Sequence, residues 1–243
     1  MGRERRARCL VVLCVCIGTP CVAQWEVAGY IGGALTRKSD LTLRQPSLGT
    51  NLRFSDISYR GESFQSPLYY GVRGGYTFLP HWAAEIEFMH LKVFANVNQS
   101  VPVSGTLNGV VISTRQPMDT IIQSFGISHG VNFLMGDIVF RQQLWRPPSR
   151  NALGRLILTL RFGAGATIPH AETIIEGHAD EHYQIGSPAI QLGGGVELSI
   201  WRKLHWMGEY KYTRTNETVN VYSGNATTLL QSHHVVTGPV IRF

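Results

Sequence analysis

Val235-Val236-Thr237-Gly238-Pro239-Val240-Ile241-Arg242-Phe243 alternates toward a terminal aromatic, with Val235, Ile241 and Phe243 on one parity. A strand that stops in this way is expected of the closing strand of an outer-membrane barrel. The same nine residues would also suit a buried terminal strand of a soluble sandwich, so the remainder of the chain has to decide.

The opposite end reads as an export signal. Met1 to Arg8 is basic, Cys9 to Ile17 is almost wholly apolar, and Cys21-Val22-Ala23 supplies a small-x-small cleavage site, so residues 1–23 are expected to be a secretory signal peptide. The apolar run is too short for a membrane helix, which needs about 20 residues. All four cysteines (Cys9, Cys14, Cys16, Cys21) fall inside this segment. Residues 24–243, the expected single barrel domain, therefore offer no disulfide, cysteine nucleophile or thiolate metal ligand. Removing Arg3, Arg5, Arg6, Arg8 and Glu4 lowers the formal charge from +6 to about +3, which carries no nucleic-acid signal.

Eight stretches rich in aromatic, branched and glycine residues are predicted as strands: 24–36, 67–79, 82–94, 121–142, 155–170, 186–201, 204–216 and 230–243. Most alternate. Tyr70, Val72, Gly74, Tyr76 and Phe78 oppose Arg73 and Thr77; Ala84, Ile86 and Phe88 oppose Glu85 and Glu87. The minority face carries Arg73, Glu85, Glu87, Arg161, Glu197, Glu209, Lys211 and Arg242 with glycines between them. Paired charges beside glycines suit the narrow interior of a small barrel, leaving the apolar face to lipid.

Connections alternate too. The segments 37–66, 95–120, 171–185 and 217–229 are long, whereas Leu79-Pro80-His81 and Trp201-Arg202-Lys203 are tight. Long outer loops, short inner turns and an even strand number predict an all-β, eight-stranded antiparallel transmembrane up-and-down barrel in the outer membrane. Trp25, Tyr76, Phe78, Trp82, Trp201, Trp206 and Phe243 are expected to form the periplasmic aromatic girdle, and Tyr69, Tyr70 and Tyr212 the outer one. Such a chain would meet outer-membrane lipids and the barrel assembly machinery, and is expected to be monomeric.

Chemistry, if any, is expected at the outer rim. His170 and Glu172 follow Ile168-Pro169, and an i, i+2 spacing puts imidazole and carboxylate on one face of a strand. Both are ligands for a first-row divalent metal, and either can serve as a general base. Glu87, His90 and Lys92 rise on the third strand; simple alternation separates Glu87 from His90 unless a bulge near Met89 reunites them.

Gly61-Glu62-Ser63-Phe64-Gln65-Ser66-Pro67-Leu68-Tyr69-Tyr70-Gly71-Val72-Arg73 resembles the opening motif of bacterial outer-membrane lipid A oxidases. The stretches 87–93, 163–172, 183–191 and 209–212 are similar to that group in the same order. The resemblance spans roughly residues 60–243. It implies oxygen-dependent oxidation of the proximal glucosamine of lipid A to an aminogluconate. On that reading His170, Glu172, Glu87 and His90 would be catalytic, with His170 and Glu172 on a divalent transition metal. Arg73 and Lys92 would hold phosphate, and Glu62, Tyr69, Tyr70 and Gln184 would shape the sugar site. Neither flavin, nicotinamide nor haem is expected. Two alternatives stay open: a non-catalytic structural or surface-binding barrel, and a lipid A deacylase using Ser128-His129 or Ser232-His233.

Overall fold

A computed structural model describes residues 24–127, 130–147 and 154–243. The expected signal peptide, the Ser128-His129 pair and residues 148–153 lie outside the described residues. The described strands are β1 (Gln24–Thr36), β2 (Ser39–Gln45), β3 (Thr50–Ile57), β4 (Tyr59–Arg60), β5 (Tyr70–Leu79), β6 (Trp82–His90), β7 (Val93–Ala95), β8 (Ser100–Leu107) and β9 (Val110–Pro117). They continue with β10 (Ile122–Ile127), β11 (Phe133–Trp145), β12 (Leu156–Thr167), β13 (His170–Ile175), β14 (His178–Tyr183), β15 (Pro188–Ser199), β16 (Leu204–Val221) and β17 (Gly224–Arg242).

Strands β1, β5, β6, β11, β12, β15, β16 and β17 pair antiparallel in that order, and β1 closes onto β17 through partners such as Glu26↔Arg242 and Ile31↔Thr237. The result is a closed eight-stranded barrel, as the alternation predicted. Trp25, Val27, Ile31, Ile86, Phe162, Leu192, Val235, Ile241 and Phe243 all point outward and are exposed, as a lipid-facing wall requires. No described helix is long and apolar enough to cross a membrane. Fold and wall together place the protein in the outer membrane.

Every charge expected on the minority face is buried inside. Arg73 bridges Glu87 (Nε to Oε1, 2.7 Å) and Glu209 (Nη2 to Oε1, 2.6 Å), and Lys211 reaches Glu87 at 2.8 Å. One layer nearer the periplasm, Arg161 meets Glu85 at 2.5 Å and Asp137 at 3.3 Å, while Arg141 spans Glu85 and Glu26. Arg242 completes the stack with Glu26 and Glu197. A buried charge is tolerable only when its partners and hydrogen bonds replace water, and here each cation has at least one carboxylate. The glycines make room. A Cβ on Gly71 would stand 2.0 Å from Cζ of Tyr30, whose hydroxyl lies 2.5 Å from Glu87.

Beyond the membrane the wall continues, which corrects the expected loops. β16 and β17 contain 18 and 19 residues, against about 9–11 for a crossing. Along β16 the outward residues change from Trp206, Gly208, Tyr210 and Tyr212 to Arg214, Asn216, Thr218 and Asn220, so the membrane boundary falls near Arg214. The segment 217–229 is therefore a projecting hairpin rather than a loop. β2, β3, β8 and β9 add to the edge of β17 in that order. A second sheet, β14-β13-β10-β7-β4, lies beside them, and 121–142, expected as one strand, divides into β10 of this sheet and β11 of the barrel. Leu41, Leu43, Leu52, Phe54, Ile122 and Ile175 belong to the buried apolar core of this outer head. Tyr69, expected in the outer girdle, instead points inward and is buried.

Candidate functional site

The outer head gathers polar chemistry where the chain leaves β12. Pro169 cannot donate to a ladder, so the strand breaks there. Ile168 N donates to the carbonyls of Val131 (3.1 Å) and Asn132 (2.8 Å), and His170 N donates to Gly130 O at 3.2 Å. β13 then turns back as β14 through Glu176-Gly177, both in the left-handed region (φ 49° and 81°). That turn sets the register Glu172↔Glu181 and His170↔Tyr183.

Alternation puts His170, Glu172, Glu181 and Tyr183 on one face. His170 Nδ1 is 3.6 Å from Glu172 Oε1 and Nε2 is 3.2 Å from Glu181 Oε1, with the Tyr183 ring centroid 4.0 Å from that of the imidazole. His170 is buried, Glu172 partly exposed and Glu181 exposed. One ligand atom from each of the three lies within 4.8 Å of the others. Two carboxylates directly opposite one another repel unless a cation stands between them. The cluster can hold a metal ion by geometry and donor type.

His90 lies close by, since a Cβ on Gly130, whose carbonyl accepts from His170 N, would stand 2.4 Å from His90 Nδ1, whereas Glu87, Arg73 and Lys92 are held elsewhere. Glu87 faces the lumen and is bound by Arg73, Lys211 and Tyr30. His90, on the opposite parity, stacks on Tyr70 (5.3 Å, 22°) and shares a hydrogen bond with Asn132 Oδ1 at 2.9 Å. Both ladders of β6 run through Met89 in register, so no bulge reunites Glu87 and His90. Arg73, expected as a rim phosphate contact, lies inside the barrel with Glu87 and Glu209. Lys92 donates to the carbonyls of Ser66 (2.9 Å) and Gln65 (3.4 Å), and so fastens the turn that begins at Glu62. Glu62 pairs with Arg60 at 3.6 Å. The Tyr69 hydroxyl sits 2.9 Å from Met89 Sδ and 3.1 Å from His234 Nδ1. Gln184 bonds the backbone of Thr218 and Asn220 and stitches the β14 exit to β16. Ser232 faces inward to Thr36, whereas His233 faces outward to Tyr210, as adjacency in a strand requires.

Two features had escaped the sequence reading. Glu217, beyond the membrane on β16, accepts a hydrogen bond from Thr167 Oγ1 at 2.6 Å; burial pushes its carboxyl up to about 7. Folding then favours the protonated acid. Its contribution is complete below the ordinary value of 4.5, declines as pH rises, and is lost above about 7. We expect the β16–β17 outer hairpin to lose up to about 3 kcal/mol of local stability across that window. Hydrogen exchange at pH 4.5 and 7.5 measures it, and Glu217→Gln should flatten the profile; an unchanged slope in the variant would remove Glu217 as its source.

The second feature is a free edge. β9 pairs only with β8, and its other side carries unpartnered backbone groups among the described residues. Val110 and Val111 are exposed, the latter at 81%. Natural edges are usually blunted by charge, bulges or cover. Along β9 only Arg115 is charged, and its guanidinium folds back onto Ser100 O at 3.0 Å.

No protein-family model and no curated protein matches the chain. Solved structures do resemble it in fold. The attachment invasion locus protein Ail of Yersinia pestis is 12% identical, with 91% of this chain and 98% of that one covered and a TM-score of 0.38. Neisserial surface protein A is 8% identical (91% and 97% covered, TM-score 0.38), and outer membrane protein AlkL is 9% identical (100% and 97%, TM-score 0.42). The chain is a small outer-membrane β-barrel. The expected lipid A oxidase is corrected by the geometry: Arg73 and Glu87, which it placed in the site, belong to the barrel's internal ion pairs, and Lys92, its second phosphate contact, is tied to the carbonyls of Gln65 and Ser66.

Proposed function

We propose that this protein is a non-catalytic, surface-binding outer-membrane barrel, delivered by removal of residues 1–23 and working as a monomer, whose projecting sheet binds an extended polypeptide along β9. The observation that carries this reading is the open edge of β9. Strand addition supplies main-chain hydrogen bonds, and exposed side chains such as Val111 supply selectivity. A pore reading has no support, because Glu87, Gln191 and Lys211 fill the lumen at 0% exposure.

Adjacent residues of a strand aim their N–H groups to opposite sides. Val111→Pro and Ile112→Pro therefore test the edge as a pair, since one removes an outward donor and the other a β8 ladder bond. With the protein in lipid nanodiscs on an array of β-prone decapeptides, the outward variant should weaken binding at least tenfold. Equal binding by both variants and the parent would overturn the reading.

The His170, Glu172 and Glu181 cluster is proposed to hold a divalent transition metal that braces the β13–β14 hairpin. Imidazole with carboxylates suits Mn, Fe or Zn. Zn or Mn should raise the melting temperature of the parent and leave Glu181→Gln unmoved; identical shifts in both would exclude the site.

A further inference from the structure

The outward wall near the top of β1 and β17 carries a groove of about 780 Å³. Ile31, Leu35 and Val235 line it, and Phe64, 80% exposed, overhangs it. Gly33 forms its floor beneath that ring: a Cβ there would stand 3.8 Å from Phe64 Cζ, at ordinary van der Waals contact, so only a large side chain at this position would fill the groove. From Trp25 in the periplasmic girdle to Leu35 are ten residues. At about 3.3 Å each and a tilt of about 40°, they rise roughly 25 Å, the height of the lipid-facing band. The groove thus opens into hydrocarbon at the outer edge of the membrane.

One register higher the wall turns cationic. Arg37 follows Leu35 on the outward parity, and its N–H donates to Gln231 O at 2.8 Å; Gln231 pairs in turn with Arg214 of β16. Arg37 and Arg214 are both exposed, outward-facing and, among the described residues, outside every ion pair. Two inter-strand spacings separate their backbones by about 10 Å, within reach of one headgroup for two long side chains. Guanidinium forks match phosphate oxygens, and they stand directly above a slot for a hydrocarbon chain.

We propose that this wall binds a phosphorylated acyl lipid of the outer leaflet, one chain lying beneath Phe64 and the phosphate held by Arg37 and Arg214. The site is independent of the β9 edge and involves no chemistry on the lipid. Its test is native mass spectrometry of the detergent-purified protein offered equimolar dimyristoylphosphatidic acid and dimyristoylphosphatidylcholine. The parent should retain the phosphatidic acid at least fivefold more. The double variant Arg37→Gln/Arg214→Gln should lose that preference, and Gly33→Trp should lose retention of both lipids; faster mobility on unboiled gels confirms that each variant is folded. Equal retention by the parent, or an undiminished preference in the double variant, would overturn the proposal. So would dihexanoylphosphatidic acid binding as well as the dimyristoyl form, since a simple anion site has no use for the groove.

Discussion

Replacing Glu87 by alanine is expected to destabilise the barrel by about 3–5 kcal/mol, the cost of leaving buried charge without its partner. Glu87 accepts from Arg73, Lys211 and Tyr30 at 2.5–2.8 Å, and its side chain is fully buried. Arg73 keeps Glu209, and Lys211 keeps Tyr30, a contact with Met89 Sδ and the more distant charge of Glu209. The ammonium would then lose its directly bonded carboxylate at zero exposure. Adding Lys211→Met should recover most of the loss, because removing both members of a buried pair is often nearly neutral. Urea midpoints in lipid vesicles measure the cycle. A single variant no weaker than a surface substitution would show that the lumen is hydrated rather than ion-paired.

Gly71→Ala should cost about 1–3 kcal/mol, the range for forcing an extra methyl into a packed interior. The new carbon would overlap the Tyr30 ring, and Tyr30 has little freedom to retreat: Lys211 Nζ lies 2.8 Å from its hydroxyl and 4.4 Å from its ring centroid, and Arg73 stacks at 4.8 Å. Gly74 on the same strand is the control, since nothing lies within 4 Å of its Cβ position. Gly74→Ala should fold as the parent does, and parity between the two variants would refute the close approach.

The transmembrane half was legible because the lipid-facing and lumen-facing sets differ chemically. Alternation of Ile86 and Phe88 with Glu85 and Glu87 needs no tertiary knowledge to read, and each of those acids is buried where parity put it. Legibility ended at Arg214. Past that residue both faces of β16 carry polar groups, and an extramembrane strand then looks like a loop. Pairs such as Leu41/Leu43, Leu52/Phe54 and Val101/Val103 did alternate within 37–66 and 95–120, and their burial shows that the signal was present but brief. At the site, His170 and Glu172 share a face by spacing alone. Glu181 joins them only through the register fixed by Glu176-Gly177, which depends on two left-handed residues. Glu87 and His90 needed a bulge that the intact ladders of β6 exclude. Arg73 looked like a rim cation because sequence gives parity but not height.

The lumen's ion pairs and the outer head divide the molecule into a closed anchor and an exposed β9 edge, the proposed binding surface. Amide hydrogen exchange across residues 100–117, in nanodiscs with and without a bound decapeptide, tests that division most directly. Outward-pointing amides of β9 should slow markedly on binding while those of β1 and β15 stay unchanged. Protection confined to the β13–β14 hairpin, or none on β9, would contradict the account.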